Sequence, residues 1–168
     1  SAIGYNTLNS NISGDYNSSI GSHSLQANTT GSNNVAMGNS SLRDNTTGLR
    51  NSALGKGSGF NIEDGDDNVA IGYLAGDVIT TGNDNVIIGA DADASAAGAE
   101  NQIVIGKDAA GHGNNIAVIG NTDMSAWHPA DDAGVDLGSS SYEFKDLYVD
   151  GVAYADALGF GTVSMTLP

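Results

Sequence analysis

The chain has 168 residues, of which 24 are Gly, about twice the usual share of roughly 7%. It contains no Cys, which excludes disulfides and thiolate metal sites, and no apolar run approaches the roughly 20 residues of a membrane helix. A net charge of −15 repels nucleic acids and anionic membranes. We therefore expect neither nucleic-acid binding nor membrane insertion.

An aliphatic residue followed by Gly recurs along most of the chain. A constant 17-residue step, repeated six times and then shortened to a 14-residue step, separates Gly4, Gly21, Gly38, Gly55, Gly72, Gly89, Gly106 and Gly120. Two further sets keep the longer step: Gly14, Gly31, Gly48, Gly65 and Gly82, and Asn17, Asn34, Asn51, Asn68 and Asn85. A fixed period of this length, built from short β-branched words and turn residues, predicts a parallel β-solenoid of eight coils over residues 1–120.

Each coil is predicted to hold one strand that ends just before the Gly, and a weaker second strand near Leu8, Leu25 and Leu42. Glycines at fixed positions are expected to supply positive φ at the corners. The Asn set is expected to hydrogen-bond from amide to amide along the stack. At about 4.8 Å per coil, seven steps give a rod roughly 34 Å long.

The residues directly before the Gly are predicted to form the core of the coil. They are Ile3, Ile20, Met37, Leu54, Ile71, Ile88, Ile105 and Ile119. Because side chains alternate along a strand, the residues two before the Gly are then expected to point outward. These are also apolar, which predicts burial against other copies of the chain at Ala36, Ala53, Ala70, Ile87, Val104 and Val118.

The words Asn34-Val35-Ala36-Met37-Gly38 and Asn68-Val69-Ala70-Ile71-Gly72 resemble the head repeats of YadA-like trimeric adhesins. The 17-residue repeat, of which residues 36–48 are the part compared, is more similar to repeats of phage tail fibres and related viral fibre proteins. The resemblance covers residues 1–120 and implies a left-handed, homotrimeric β-roll.

Residues 121–168 contain no repeat word and are predicted to form a separate, short β region, with strands suggested at 148–149 and 152–154. The segment 136–149 is similar to one found near the end of tail fibres, often before a C-terminal intramolecular chaperone. The resemblance thus implies a fragment of a longer fibre.

The sequence contains no recognisable set of catalytic residues, and we expect that the chain is not an enzyme. A hexapeptide-repeat acyltransferase would need a coil length that is a multiple of six and a catalytic His, for which His112 is the one candidate. The pairs Thr29-Thr30, Thr46-Thr47 and Thr80-Thr81 raise an ice-binding alternative, although threonines beside Gly are usually turn residues.

Two further groups are weak candidates for binding. Asp64, Asp66 and Asp67 offer hard oxygen ligands for calcium, but they match no calcium-binding loop, and solvated acidic loops are the alternative. No other cofactor is expected. Trp127 and His128, at the end of the repeats, could contact a receptor such as a glycan, or Trp127 could cap the open end of the solenoid.

The resemblance implies an extracellular segment of a trimeric viral tail fibre that presents a surface to a host receptor and joins other fibre or tail proteins. A bacterial surface adhesin head is the alternative.

Overall fold

A computed structural model describes residues 1–128, 137, 139 and 141–150. The chain divides into two units, Ser1–Ala126 and Trp127–Pro168. The described residues contain β-strands, turns and bends but no helix, and so none that could cross a membrane.

The first unit is a parallel β-solenoid with one short strand per coil. The strands are β1 (Ala2–Ile3), β2 (Ser18–Ile20), β3 (Val35–Met37), β4 (Ser52–Leu54), β5 (Val69–Ile71), β6 (Val86–Ile88), β7 (Ile103–Ile105) and β8 (Ala117–Ile119). They form one sheet in chain order, and each residue pairs with its equivalent in the next coil. The prediction of a parallel solenoid with a strand before each Gly is confirmed.

The predicted assignment of inner and outer residues is wrong. The residues two before the Gly are the ones inside the coil: Ala36, Ala53, Ala70, Ile87 and Val104 are at most 2% exposed within a single chain, and Val118 in the last coil is half-buried. The residues directly before the Gly point outward. Ile3, Ile20, Met37, Leu54, Ile71 and Ile119 are exposed, and Ile88 and Ile105 are half-buried.

The reason for this inversion is the narrow interior of a 17-residue coil. The strands alternate as predicted, but a one-residue change of phase moves every side chain to the other face. The prediction placed the larger aliphatic residue inside. In the structure the inner strand position is Ala in β3, β4 and β5, and the fully buried Leu25 and Leu42 belong to the same core cluster and fill much of its space.

The predicted second strand near Leu8, Leu25 and Leu42 is a turn. All three residues have left-handed backbone conformations, with φ between 47° and 49°. The turns still stack between coils, since Leu25 N donates to Ser41 O at 3.1 Å. An unusual backbone conformation for Leu is tolerated here because the turn directs its side chain into the core.

The two glycine sets have different roles. From Gly4 to Gly106, the glycines that follow the strands have φ between 135° and 143°, as expected for corners that need Gly. Gly48 in the second set has no positive φ. A Cβ on Gly48 would instead lie 2.5 Å from Gly65 O in the next coil. The second set is therefore required by the close approach of stacked backbones.

The asparagine set forms a buried ladder that bonds mainly to the backbone. Asn34 Oδ1 accepts from Asn51 N at 2.8 Å, and Asn34 Nδ2 donates to Gly48 O at 2.8 Å. The same pair of bonds recurs along the ladder, and Gln102 N continues it by donating to Asn85 Oδ1. Amide-to-amide bonds join the last three members, since Asn68 Nδ2 donates to Asn51 Oδ1 at 3.1 Å and Asn85 Nδ2 donates to Asn68 Oδ1 at 2.9 Å. The predicted amide-to-amide linkage therefore occurs in part of this set.

A second asparagine set, Asn11, Asn28 and Asn45, also makes amide-to-amide bonds between coils. Asn28 Nδ2 donates to Asn11 Oδ1 at 2.6 Å, and Asn45 Nδ2 donates to Asn28 Oδ1 at 2.8 Å. Every buried side-chain nitrogen and oxygen among the described residues has a hydrogen-bond partner.

The residues that fill the core of the solenoid change at the fourth coil. The pair Leu42 and Asn45 is replaced one coil later by Gly59 and Ile62, and the Ile62 side chain is fully buried. A Cβ on Gly59 would lie 3.0 Å from Leu42 Cδ2 and 3.0 Å from Ile62 Cδ1. The two positions thus share one space, which either can fill.

In the second unit, the described residues include one antiparallel bridge, between Ser139 and Tyr142. The described residues 141–150 contain no strand, so the strand suggested at 148–149 is absent; the one suggested at 152–154 lies outside the described residues.

Candidate functional site

The most extensive unusual surface of the solenoid is the outer face of its sheet, which we call the strand ladder. It consists of the first and third residues of the three-residue strands: 18 and 20, 35 and 37, 52 and 54, 69 and 71, 86 and 88, 103 and 105, and 117 and 119. None of these residues is charged. Leu54 is 51% exposed and Ile20 44%. A solvated sheet face would alternate polar residues outward, so a largely apolar outer face is a candidate interaction surface.

The strand ladder becomes more apolar toward its C-terminal end. The first position of the strand is Ser18, Val35 and Ser52 in β2, β3 and β4, and then Val69, Val86 and Ile103 in β5, β6 and β7. A three-residue strand is about 10 Å long, at roughly 3.3 Å per residue, and this length sets the width of the ladder. The ladder is therefore a narrow apolar strip that follows the stack of coils.

None of this outer surface was predicted as such from the sequence, because its third strand positions were assigned to the coil core and its first positions to no buried surface. Val35, Val69, Val86 and Ile103 stand three residues before the Gly, outside the positions assigned to burial. In β3 and β5 a small Ala between two larger residues marks the inner position, but β6, with Val86, Ile87 and Ile88, shows no such difference in size.

The acidic residues considered for calcium are engaged with donors from the preceding coil. Asp64 Oδ1 accepts from the hydroxyls of Thr47 and Thr46, both at 2.8 Å, and these bonds lower the pKa of Asp64, with Thr47 contributing most. Asp66 Oδ1 accepts from Leu49 N at 2.7 Å.

Asp67 is paired with an arginine in the same corner of the solenoid. Its two carboxylate oxygens accept from Arg50 Nε and Nη2 at 2.6 and 2.7 Å, which lowers the pKa of Asp67. Within the described part of the chain, no group of three or more His, Asp or Glu residues converges as a metal site would require. The structure thus gives Asp64, Asp66 and Asp67 a role in joining coils, and calcium binding stays a prediction.

The threonine pairs also serve the stacking of the coils. Thr29 N and Thr29 Oγ1 both bond to Thr46 O, at 2.9 and 3.0 Å, and Thr46 N donates to Glu63 O at 2.8 Å. Their hydroxyls are therefore partly used within the chain rather than arrayed toward solvent. Ice binding stays an untested alternative.

The remaining candidates are exposed. Trp127 is 73% exposed, and His112 and His128 are exposed as well. The receptor role of Trp127 and His128 stays a prediction. In the first unit, Met124 folds back over Gly120, so that its side chain lies against the last corner of the solenoid.

The fold and the strand ladder together define a parallel β-solenoid with one unpartnered apolar sheet face. No protein family model, curated protein or solved structure matches the chain. The function therefore has to be argued from the geometry.

Proposed function

We propose that this chain is the structural and receptor-presenting segment of a trimeric fibre of the phage tail-fibre type, and that the strand ladder packs around the threefold axis. The observation that carries this proposal is the uncharged and largely apolar outer face of β2 to β8. Its partner is a second and a third copy of the same chain.

A closed symmetric assembly explains why the apolar strip runs along the whole stack. Soluble homo-oligomers usually have closed point-group symmetry. With the symmetry axis along the rod, equivalent coils meet at equal heights, so every Ile, Val, Leu and Met of the ladder is covered. The number three comes from the resemblance of the repeat words to trimeric fibre heads, which also supports a left-handed coil.

The shape and chemistry suit a rigid spacer. Stacked coils held by the Asn ladder and by inter-coil backbone bonds give a rod whose mechanical continuity depends on nearest neighbours. The acidic corners keep such a rod soluble and discourage side-by-side association. In this proposal the fibre is extracellular, lacks enzymatic activity, joins other tail proteins and holds a host-recognition surface away from the virion.

Cysteine cross-linking tests the position of the axis. The natural chain contains no Cys, so Ile71→Cys introduces a single thiol in the ladder, and Thr30→Cys introduces one at an exposed turn as the matched control. A short trifunctional maleimide should join three chains of the Ile71→Cys variant and leave the Thr30→Cys variant monomeric on a denaturing gel. Equal cross-linking of both variants, or of neither, would contradict the proposed interface.

A further inference from the structure

A connected set of planar side chains lies on the turns of the first four coils. We call it the planar strip, and it consists of Tyr5, His23, Gln26, Arg43, Asp44 and Phe60. Tyr5 and His23 pack edge to face with ring centroids 5.4 Å apart, and His23 Nδ1 lies 2.9 Å from Gln26 Oε1. Further along, the Arg43 guanidinium carbon lies 3.8 Å from the centroid of the Phe60 ring.

An open groove joins the two halves of the planar strip. Ser10, Gln26, Ala27, Arg43 and Asp44 line this groove, which has a volume of about 360 Å³. That size is at the small end of the roughly 300–1,000 Å³ range of ligand sites. None of the lining residues belongs to the strand ladder, so assembly through the ladder does not use them.

The stacking of the coils does not require this set of residues. The column of the Asn ladder keeps one residue type over five coils. The column of Arg43 instead reads Gln26, Arg43, Phe60, Asp77 and Ala94. Large planar groups therefore occur in this column in the second to fourth coils and not in the fifth and sixth. This change in residue type distinguishes the groove from the same column of the later coils.

Arg43 is held in place from two sides. Its Nε and Nη2 donate to the two carboxylate oxygens of Asp44 at 2.7 and 2.8 Å, and its flat face rests on Phe60. An arginine fixed in this way keeps its remaining N–H donors in a defined direction, and Asp44 keeps free acceptor lone pairs. The pair thus offers donors and acceptors side by side with no net charge.

We propose that the planar strip binds a neutral saccharide. Adjacent hydroxyls of a sugar ring each donate and accept, which matches a neutralised Arg–Asp pair and the Gln26 amide. Aromatic rings such as Tyr5, which is 71% exposed, can cover the apolar C–H face of a sugar. The net charge of −15 and the Asp44 carboxylate disfavour an acidic sugar. This inference rests on the receptor-presenting part of the proposed function.

Saturation-transfer NMR on the full chain tests the site. The probes are neutral oligosaccharides of glucose, galactose, mannose, rhamnose and N-acetylglucosamine, with sialyllactose as the acidic probe. We expect transfer to at least one neutral probe, and at least a tenfold weaker affinity in Arg43→Ala and in Gln26→Ala. Arg50→Ala is the matched control, because it also removes an Asp-paired arginine but lies outside the strip. It should bind as the natural chain does.

The outcomes separate this inference from the trimer proposal. Absence of transfer to every neutral probe would overturn the saccharide site, as would stronger binding of sialyllactose or equal losses in Arg43→Ala and Arg50→Ala. Light scattering on the same samples reports the assembly state independently, so a trimer that binds no sugar refutes only the site. A monomer that binds sugar refutes only the trimer.

Discussion

At the residue scale, the solenoid depends on side chains that complete hydrogen bonds between coils. Asn51 shows this most clearly. Its Oδ1 accepts from Asn68 N at 2.9 Å, and its Nδ2 donates to Gly65 O at 2.6 Å. The side chain is fully buried, so no solvent can replace these bonds. The asparagine in this column is therefore a structural requirement of the coils that carry it.

Asn51→Ala should destabilise the solenoid by about 2 kcal/mol or more, because it leaves a buried N–H and a buried C=O without partners. Thermal unfolding followed by circular dichroism measures the effect. Asn39→Ala is the control, since Asn39 is exposed and its replacement should change stability by about 0.5 kcal/mol at most. Equal melting temperatures for the two variants would refute the role of the ladder.

Asp93 is a carboxyl group whose environment opposes ionisation. Burial raises the pKa of Asp93 to about 6, with a further contribution from the neighbouring Asp77, against the opposing effect of the bond from Val78 N at 3.2 Å. The folded state therefore holds this proton more tightly than the unfolded chain, where the pKa is near 3.8. This contribution to stability is complete below pH 3.8 and is lost as the pH rises through about 6.

Asp93→Asn should remove this pH dependence. We expect a higher melting temperature than that of the natural chain at pH 7.5 and a smaller difference at pH 4, since the amide stays neutral and can still accept from Val78 N. Melting curves at half-unit pH steps provide the measurement. A lower melting temperature of Asp93→Asn than of the natural chain at pH 7.5 would contradict the assignment. It would mean that ionisation of Asp93 stabilises the folded chain.

At the scale of the coil, the recurring aliphatic residue before Gly, at 17-residue steps and one final 14-residue step, is sufficient to place all eight strands and their parallel order. It is not sufficient to decide which side of the strand is inside. Ala36 and Met37 are both apolar, and the choice between them depends on the width of the coil, which is set by Leu25 and Leu42 reaching in from turns with positive φ. Such turns have no local sequence signal, because Leu rarely adopts this conformation.

The groove of the planar strip could not be predicted for a similar reason. Arg43 and Phe60 belong to successive coils and meet only because the coils stack in register. The period alone implies that neighbours in a column are close. The orientation of these side chains depends on the geometry of turns that the sequence pattern predicts as strands.

The second glycine set gives a test of the stacking distance. Gly48→Ala should strongly destabilise the solenoid, because its Cβ would meet Gly65 O at 2.5 Å, although its φ is not in the positive region. Gly98→Ala serves as the control, since the nearest atom to its Cβ would be Thr81 Oγ1 at 3.6 Å. Thermal unfolding should show a large loss for the first variant and little change for the second. Similar stability of both would mean that the coils are not packed this closely.

At the scale of the whole molecule, the strand ladder links the fold to assembly. A chain with 39% hydrophobic residues and many Gly, Asn and Ser residues has a narrow interior, and much of its aliphatic surface lies on the outside of the sheet. In the proposed trimer, other copies of the chain would cover that surface, which would account for a composition that is unusually polar for an independent domain.

Leu54→Glu should weaken assembly, because it places a charge in the centre of the strand ladder, where Leu54 is 51% exposed in a single chain. The melting temperature of an oligomer rises with protein concentration, and this dependence should be lost in the variant. Thr30→Glu, at an exposed turn, should retain it. A concentration-independent melting temperature in the natural chain would argue against the interface.

The mass of the natural chain in solution is the most direct test of the proposal that the strand ladder is covered by two further copies. Light scattering coupled to size-exclusion chromatography should give the mass of three chains, which is three times 16.9 kDa. A mass near 16.9 kDa at micromolar concentration would leave the apolar face of the sheet in solvent and would contradict the trimer.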